Sequence, residues 1–166
     1  MINIPTLNRI SIITLLVVLA ACDKTRVFEK NLPVEGDGWH KDSTAYFYWE
    51  IEDTANFYNV LFNVRHLTGY SYRNLYLFID WYSPSKKHAR DTFNIILVDE
   101  KGKWLGEGSG NVRFRTAPYK IGVKFPEPGR YVLKINQAMR HEQLKGILDL
   151  GVRVEKGVPL TNQYEN

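Results

Sequence analysis

The sequence predicts an all-β fold: a two-sheet antiparallel sandwich of jelly-roll or immunoglobulin-like kind with about eight strands. Three observations predict it. Apolar residues recur at every second position in segment after segment, which is the period of a half-buried strand. Turn signals rich in Gly, Pro and Asp separate those segments. No sustained helical period lies between them, so nothing calls for the crossover helices of a parallel sheet.

Each element follows from its own pattern. Residues 22–41 are polar, carry Pro33, Gly36 and Gly38, and read as a tether. A sandwich domain is expected over 42–156 and a short tail over 157–166. The first strand places Ala45, Phe47, Trp49 and Ile51 on one face and Tyr46, Tyr48 and Glu50 on the other. The next alternates Tyr58, Val60, Phe62 and Val64 with Asn59, Leu61, Asn63 and Arg65. Leu75, Leu77, Ile79 and Trp81 oppose Tyr76, Phe78 and Asp80, and Phe93, Ile95 and Leu97 mark a strand over 92–98 that ends at Asp99-Glu100-Lys101-Gly102. Val112 and Phe114 begin another strand. Tyr119, Ile121, Val123 and Phe125 form the next, which Pro126-Glu127-Pro128-Gly129 stops. Tyr131, Leu133 and Ile135, then Leu148, Leu150, Val152 and Val154, complete the set, with one or two helical turns expected between them over 137–146.

The chain has 166 residues, 44% hydrophobic and 24% charged, which is a globular composition long enough to bury one core without metal or disulfide. Cys22 is its single cysteine, so no internal disulfide or cysteine-rich metal site can form. Residues 1–21 have a basic head at Arg9, an apolar run from Ile10 to Leu19 and a small-residue exit, the three parts of a secretory signal peptide. The apolar run is too short to span a bilayer, which takes about 20 residues. Leu19-Ala20-Ala21-Cys22 resembles the bacterial lipobox, in which cleavage precedes the cysteine and the thiol takes a diacylglyceryl group. Cys22 is thus the expected lipid attachment site, and the membrane, through that anchor, is an expected partner.

Local chemistry is sparse. His40, His66, His88 and His141 show no metal-ligand spacing, no serine lies in a GxSxG elbow, and no phosphate-binding glycine loop is present. Glu50 with Glu52, and Asp99 with Glu100, are carboxylate pairs that read as polar exterior. No catalytic residue, metal or cofactor is expected. Lys86-Lys87-His88-Ala89-Arg90 reads as a basic loop, either a contact for anionic lipid or polysaccharide or a solvated turn. Nucleic acid is not an expected partner behind a signal peptide. Trp104, inside the glycine-rich stretch 102–110, is placed either to stack on a sugar or partner or to cap the core. Tyr46, Tyr48, Tyr76 and Phe78 are placed on outer faces.

The order of motifs resembles a known family. Phe57-Tyr58-Asn59 with Arg65, Tyr72-Arg73-Asn74-Leu75, Asp91-Thr92, Gly102-Lys103-Trp104-Leu105-Gly106, Gly129-Arg130-Tyr131, Gln137-Ala138-Met139-Arg140 and Leu144 to Gly151 together are similar to the gliding-motility lipoprotein H family, GldH. The resemblance implies an outer-membrane lipoprotein of Bacteroidetes, non-enzymatic and without cofactor, associated with gliding and the type IX secretion system. Its expected partners are other envelope, gliding or secretion proteins, docked on its surface. Met139 and Arg140, beside the expected helical turn, and Trp104 are the candidate contact residues. A lipid-anchored carbohydrate-binding sandwich is the alternative, to be recognised by a groove lined with Trp or Tyr.

Overall fold

The computed structural model describes Asp23 and residues 25–157; the expected signal peptide, Cys22 and the chain beyond Gly157 lie outside the described residues. The described chain is all β, with ten strands and no helix. Eight strands are long: β1 (Arg26–Pro33), β3 (Ala45–Ile51), β4 (Phe57–Leu67), β5 (Asn74–Tyr82), β6 (His88–Ile96), β7 (Val112–Val123), β8 (Gly129–Gln137) and β10 (Ile147–Gly157). β2 (Trp39–His40) and β9 (Gln143–Leu144) form a two-residue ladder of their own.

The long strands pair as a ribbon folded on itself, first with last: β1 with β10, β3 with β8, β4 with β7, and β5 with β6, all antiparallel. Two further pairings, β10 with β4 and β5 with β8, join the ribbon into sheets ordered β1-β10-β4-β7 and β3-β8-β5-β6. This nesting is the jelly-roll order, not the immunoglobulin one. Rings cross between the sheets: Phe28 meets Trp49 at 5.7 Å, Phe62 meets Phe93 at 5.7 Å, and Trp81 stacks on Tyr119 at 6.1 Å. The core between the layers takes Phe47, Trp49 and Ile51 from β3, Val60, Phe62 and Val64 from β4, and Val152 and Val154 from β10, all as the alternation predicts. Burying a large apolar side chain contributes about 1.5–3 kcal/mol, so this double layer of rings and branched side chains dominates stability.

Four expectations are corrected. Arg26–Pro33, placed in the tether, is an edge strand, because Phe28 and Leu32 pack against the core and its backbone extends the β10 ladder. The helical turn expected over 137–146 is a loop followed by β9, since the side chain of Gln137 satisfies the loop's backbone groups in place of helical bonds. His88, Ala89 and Arg90 are not loop but the start of β6, where the register sets Arg90 beside Asp80. The two segments beginning at Val112 and ending near Phe125 are one strand, β7; Pro118 is tolerated within it because β7 is an edge.

Strand direction sorts the connections into two ends. Loops 52–56, 83–87 and 124–128 lie at the end where β1 begins and β10 finishes. Loops 34–44, 68–73, 97–111 and 138–146 lie at the other.

Candidate surface for partner contact

The loop after β8 is built around one buried amide. Gln137, 3% exposed, accepts the backbone N–H of Met139 at 2.8 Å and donates to the carbonyl of His141 at 2.8 Å. The backbone N–H of Ala138 donates to the Tyr76 carbonyl at 2.8 Å, and the Tyr76 N–H points at the Met139 sulfur at 3.3 Å. Leaving either end of such an amide unsatisfied costs about 1–3 kcal/mol, so Gln137 fixes the loop's conformation and presents Met139, Arg140 and His141. Gly146 closes the loop at φ +90°, where a Cβ would sit 3.2 Å from the Tyr70 Cα.

These three residues, with Tyr72, Asn74 and Tyr76, line a hollow of about 590 Å³. Met139 is half-buried against the core, and Arg140 is exposed, with no ion pair among the described residues. Met139 also borders a second hollow with Phe78, Arg90 and Lys41. Trp104 is not in either lining. It is half-buried, its ring lies 4.7 Å from that of His66, and its backbone bridges Val98, so it caps the core beneath the glycine-rich loop. Of the three candidate contact residues, the structure therefore brings Met139 and Arg140 together and sets Trp104 apart.

The outer face of the same sheet carries the aromatics placed there by period two. Tyr46, Tyr48, Tyr76 and Phe78 are 41–49% exposed. Lys134 lies over the rings of Tyr82 at 4.7 Å and Tyr46 at 5.7 Å, and His88 stacks on Tyr82 at 4.8 Å. Beneath them lies Asp80, only 6% exposed, although its place in the alternation is on the polar, outer face. Its carboxylate accepts two hydrogen bonds from Arg90, both 2.8 Å, and one from His88 at 2.7 Å. The Arg90 guanidinium, then His88, hold the Asp80 carboxyl down to about 2 against the opposing cost of burial. The signal was present as an Asp opposite an Arg, but only cross-strand register joins positions 80 and 90.

One member of each carboxylate pair has a structural partner. Glu50 takes Arg130 at 3.0 Å, and Asp99 accepts the backbone N–H groups of Lys101 and Lys103, shaping the turn after β6. Among the described residues no three His, Cys, Asp or Glu side chains gather as a metal site.

A jelly roll with an aromatic, cation-studded outer face and a preformed loop hollow at one end defines an antiparallel β module. Comparison with known proteins makes the assignment more particular. The family model described as GldH lipoprotein matches residues 26–154, and the chain belongs to that family. It is 35% identical over 148 residues to a gliding motility lipoprotein GldH homolog of Christiangramia forsetii, covering 85% of this chain and 90% of that protein. It is 34% identical over 147 residues to the gliding motility lipoprotein GldH of Flavobacterium johnsoniae, covering 84% and 91%. Among solved structures, one of an infectious bursal disease virus Gx strain aligns with a TM-score of 0.35 at 11% identity, covering 84% of this chain and 31% of that one.

Proposed function

We propose that this protein is a lipid-anchored, non-catalytic component of the outer membrane that serves gliding and the type IX secretion system by docking other envelope proteins at the Met139–Arg140 hollow. The observation that carries this reading is the construction of the hollow. A buried Gln137 preorganises a surface loop that offers a thioether and a guanidinium beside two tyrosines. Met, Arg and aromatic side chains are the types enriched in interface anchors, and preorganisation reduces the entropy lost on binding. The names of the relatives support the cellular role, and Cys22 in its lipobox setting supports the anchor.

The test is Arg140→Glu, which removes the exposed cation and adds repulsion. Membrane abundance should be unchanged, while co-purifying proteins and gliding, or secretion in a non-gliding host, should be lost together. An abundant variant with every partner and a normal phenotype removes the hollow from consideration.

One observation favours carbohydrate as a second reading: Tyr72 and Tyr76 line the hollow, and Tyr46, Tyr48 and Phe78 stand exposed on the adjoining face. Tyrosine faces stack on sugar rings as readily as on protein. Retention on an immobilised glycan panel that disappears in Tyr76→Ala, with protein partners unchanged, would favour it.

A further inference from the structure

Asp23, the residue next to the expected anchor, is tied to the sheet. Asp23 directly follows Cys22. Its carboxylate accepts the backbone N–H of Thr25 at 3.1 Å and the Thr25 hydroxyl at 2.6 Å, and it pairs with the guanidinium of Arg153 in β10. Arg153 also holds Glu155 at 2.8 Å and Glu29 at 3.4 Å. The Lys156 N–H donates to the Thr25 carbonyl at 2.7 Å, carrying the β1–β10 ladder past Arg26. Hydrogen bonds from Thr25, then Arg153, hold the Asp23 carboxyl down to about 2. Consecutive Cα atoms are ~3.8 Å apart, so a single peptide unit separates the Asp23 Cα from that of the residue expected to carry the lipid.

Strand direction then says which end is held. β1 starts at the end that carries loops 52–56, 83–87 and 124–128, and the Met139 hollow belongs to the opposite end. β4 and β10 each have 11 residues. At about 3.3 Å per residue the two ends are roughly 35 Å apart. Two ion pairs stand at the near end, Lys87 with Glu127 at 3.0 Å and Arg130 with Glu50 at 3.0 Å, beside Lys86, Lys124, Glu52 and Asp53, which enter no ion pair among the described residues. Charges of both signs therefore stand at this end, as they do in a zwitterionic headgroup layer.

We propose that the end formed by loops 52–56, 83–87 and 124–128 is seated on the phospholipid headgroup layer by the Asp23–Arg153 clamp, so that the Met139 hollow is presented away from the bilayer. The proposal rests on Cys22 being the acylated residue. Acyl chains at one thiol supply the affinity, and the clamp turns that affinity into an orientation. A free tether over 22–41 would have let the domain tumble; β1 removes that freedom.

The experiment uses the full-length lipidated protein in phosphatidylethanolamine vesicles that carry a nitroxide on the lipid headgroup. One dye-labelled thiol is added at the near end, as Ala55→Cys or Lys124→Cys, or at the far end, as Gly69→Cys or Lys101→Cys. The protein should float with the vesicles, with quenching several-fold stronger at 55 and 124 than at 69 and 101. A Gly/Ser spacer inserted between Cys22 and Asp23 should preserve flotation and flatten that difference. Flotation with equal quenching at both ends, or an unchanged pattern with the spacer, overturns the seat and leaves the anchor standing. Failure to float overturns the anchor as well.

Discussion

At the scale of single residues, β3 divides into an inward and an outward face that alternate with period two. Trp49 is 4% exposed and touches Phe28, Trp81, Phe125 and Tyr131, whereas Glu50, its neighbour in sequence, lies in solvent against Arg130. Trp49→Ala should therefore cost about 3–5 kcal/mol by denaturant unfolding. Glu50→Ala should cost less than ~1 kcal/mol, as exposed ion pairs do. His66 continues the inward series Tyr58, Val60, Phe62 and Val64 by period two, but the alternation does not say how an imidazole will be satisfied there. Its ring is fully buried against Trp104, with Nδ1 bonded to the Leu67 carbonyl at 2.9 Å and Nε2 unpartnered among the described residues. Burial lowers the His66 pKa below 6.5, so the unfolded chain takes up this proton first as pH falls. Stability is then full above about pH 6.5 and declines below it. The drop in melting temperature between about pH 7.5 and 5.5 should be smaller in His66→Phe than in the parent. An equal drop would assign the acid sensitivity elsewhere.

At the scale of elements, strands that alternate apolar and polar residues were read at their correct positions. Those held by register or by an edge were not. β1 alternates weakly because an edge strand over a half-covered face buries little: Phe28 and Leu32 are only partly covered. β6 starts earlier than its apolar run because Arg90 and His88 are drawn into the strand by Asp80 across from them. The loop holding Met139 resembles a helical turn in sequence, and only the inward Gln137 amide makes it otherwise. Residues 26–33, within the expected tether, are consequently part of the folded unit. A chain starting at Lys41 lacks β1 and the buried Trp39, and with them Leu32 and Val34 on the core. Losing these at roughly 1–3 kcal/mol each approaches the 5–15 kcal/mol that holds a domain folded. Thermal melts should show a cooperative transition for a chain starting at Asp23 and a much lower or broadened one for a chain starting at Lys41. Identical melts would mean that β1 is an adornment.

At the scale of the whole molecule, the jelly-roll pairing order was beyond reach of the sequence, because nested pairing joins the first strand to the last and no local signal records it. The two ends of the sheets, and so the separation of the start of β1 from the hollow, follow from that order alone. Cys22→Ser should abolish incorporation of an alkyne fatty acid and leave uncut precursor or a soluble product. Labelling that persists would show that the lipid sits elsewhere. The docking proposed at the hollow is read out in living cells by a photo-crosslinking amino acid at Met139, compared with the same probe at Tyr48 and at Lys124. Discrete protein adducts are expected from 139, absent from 124 and lost when Arg140→Glu is added without loss of folded protein. No protein adduct at 139, or adducts indifferent to the charge at 140, would contradict docking at this hollow.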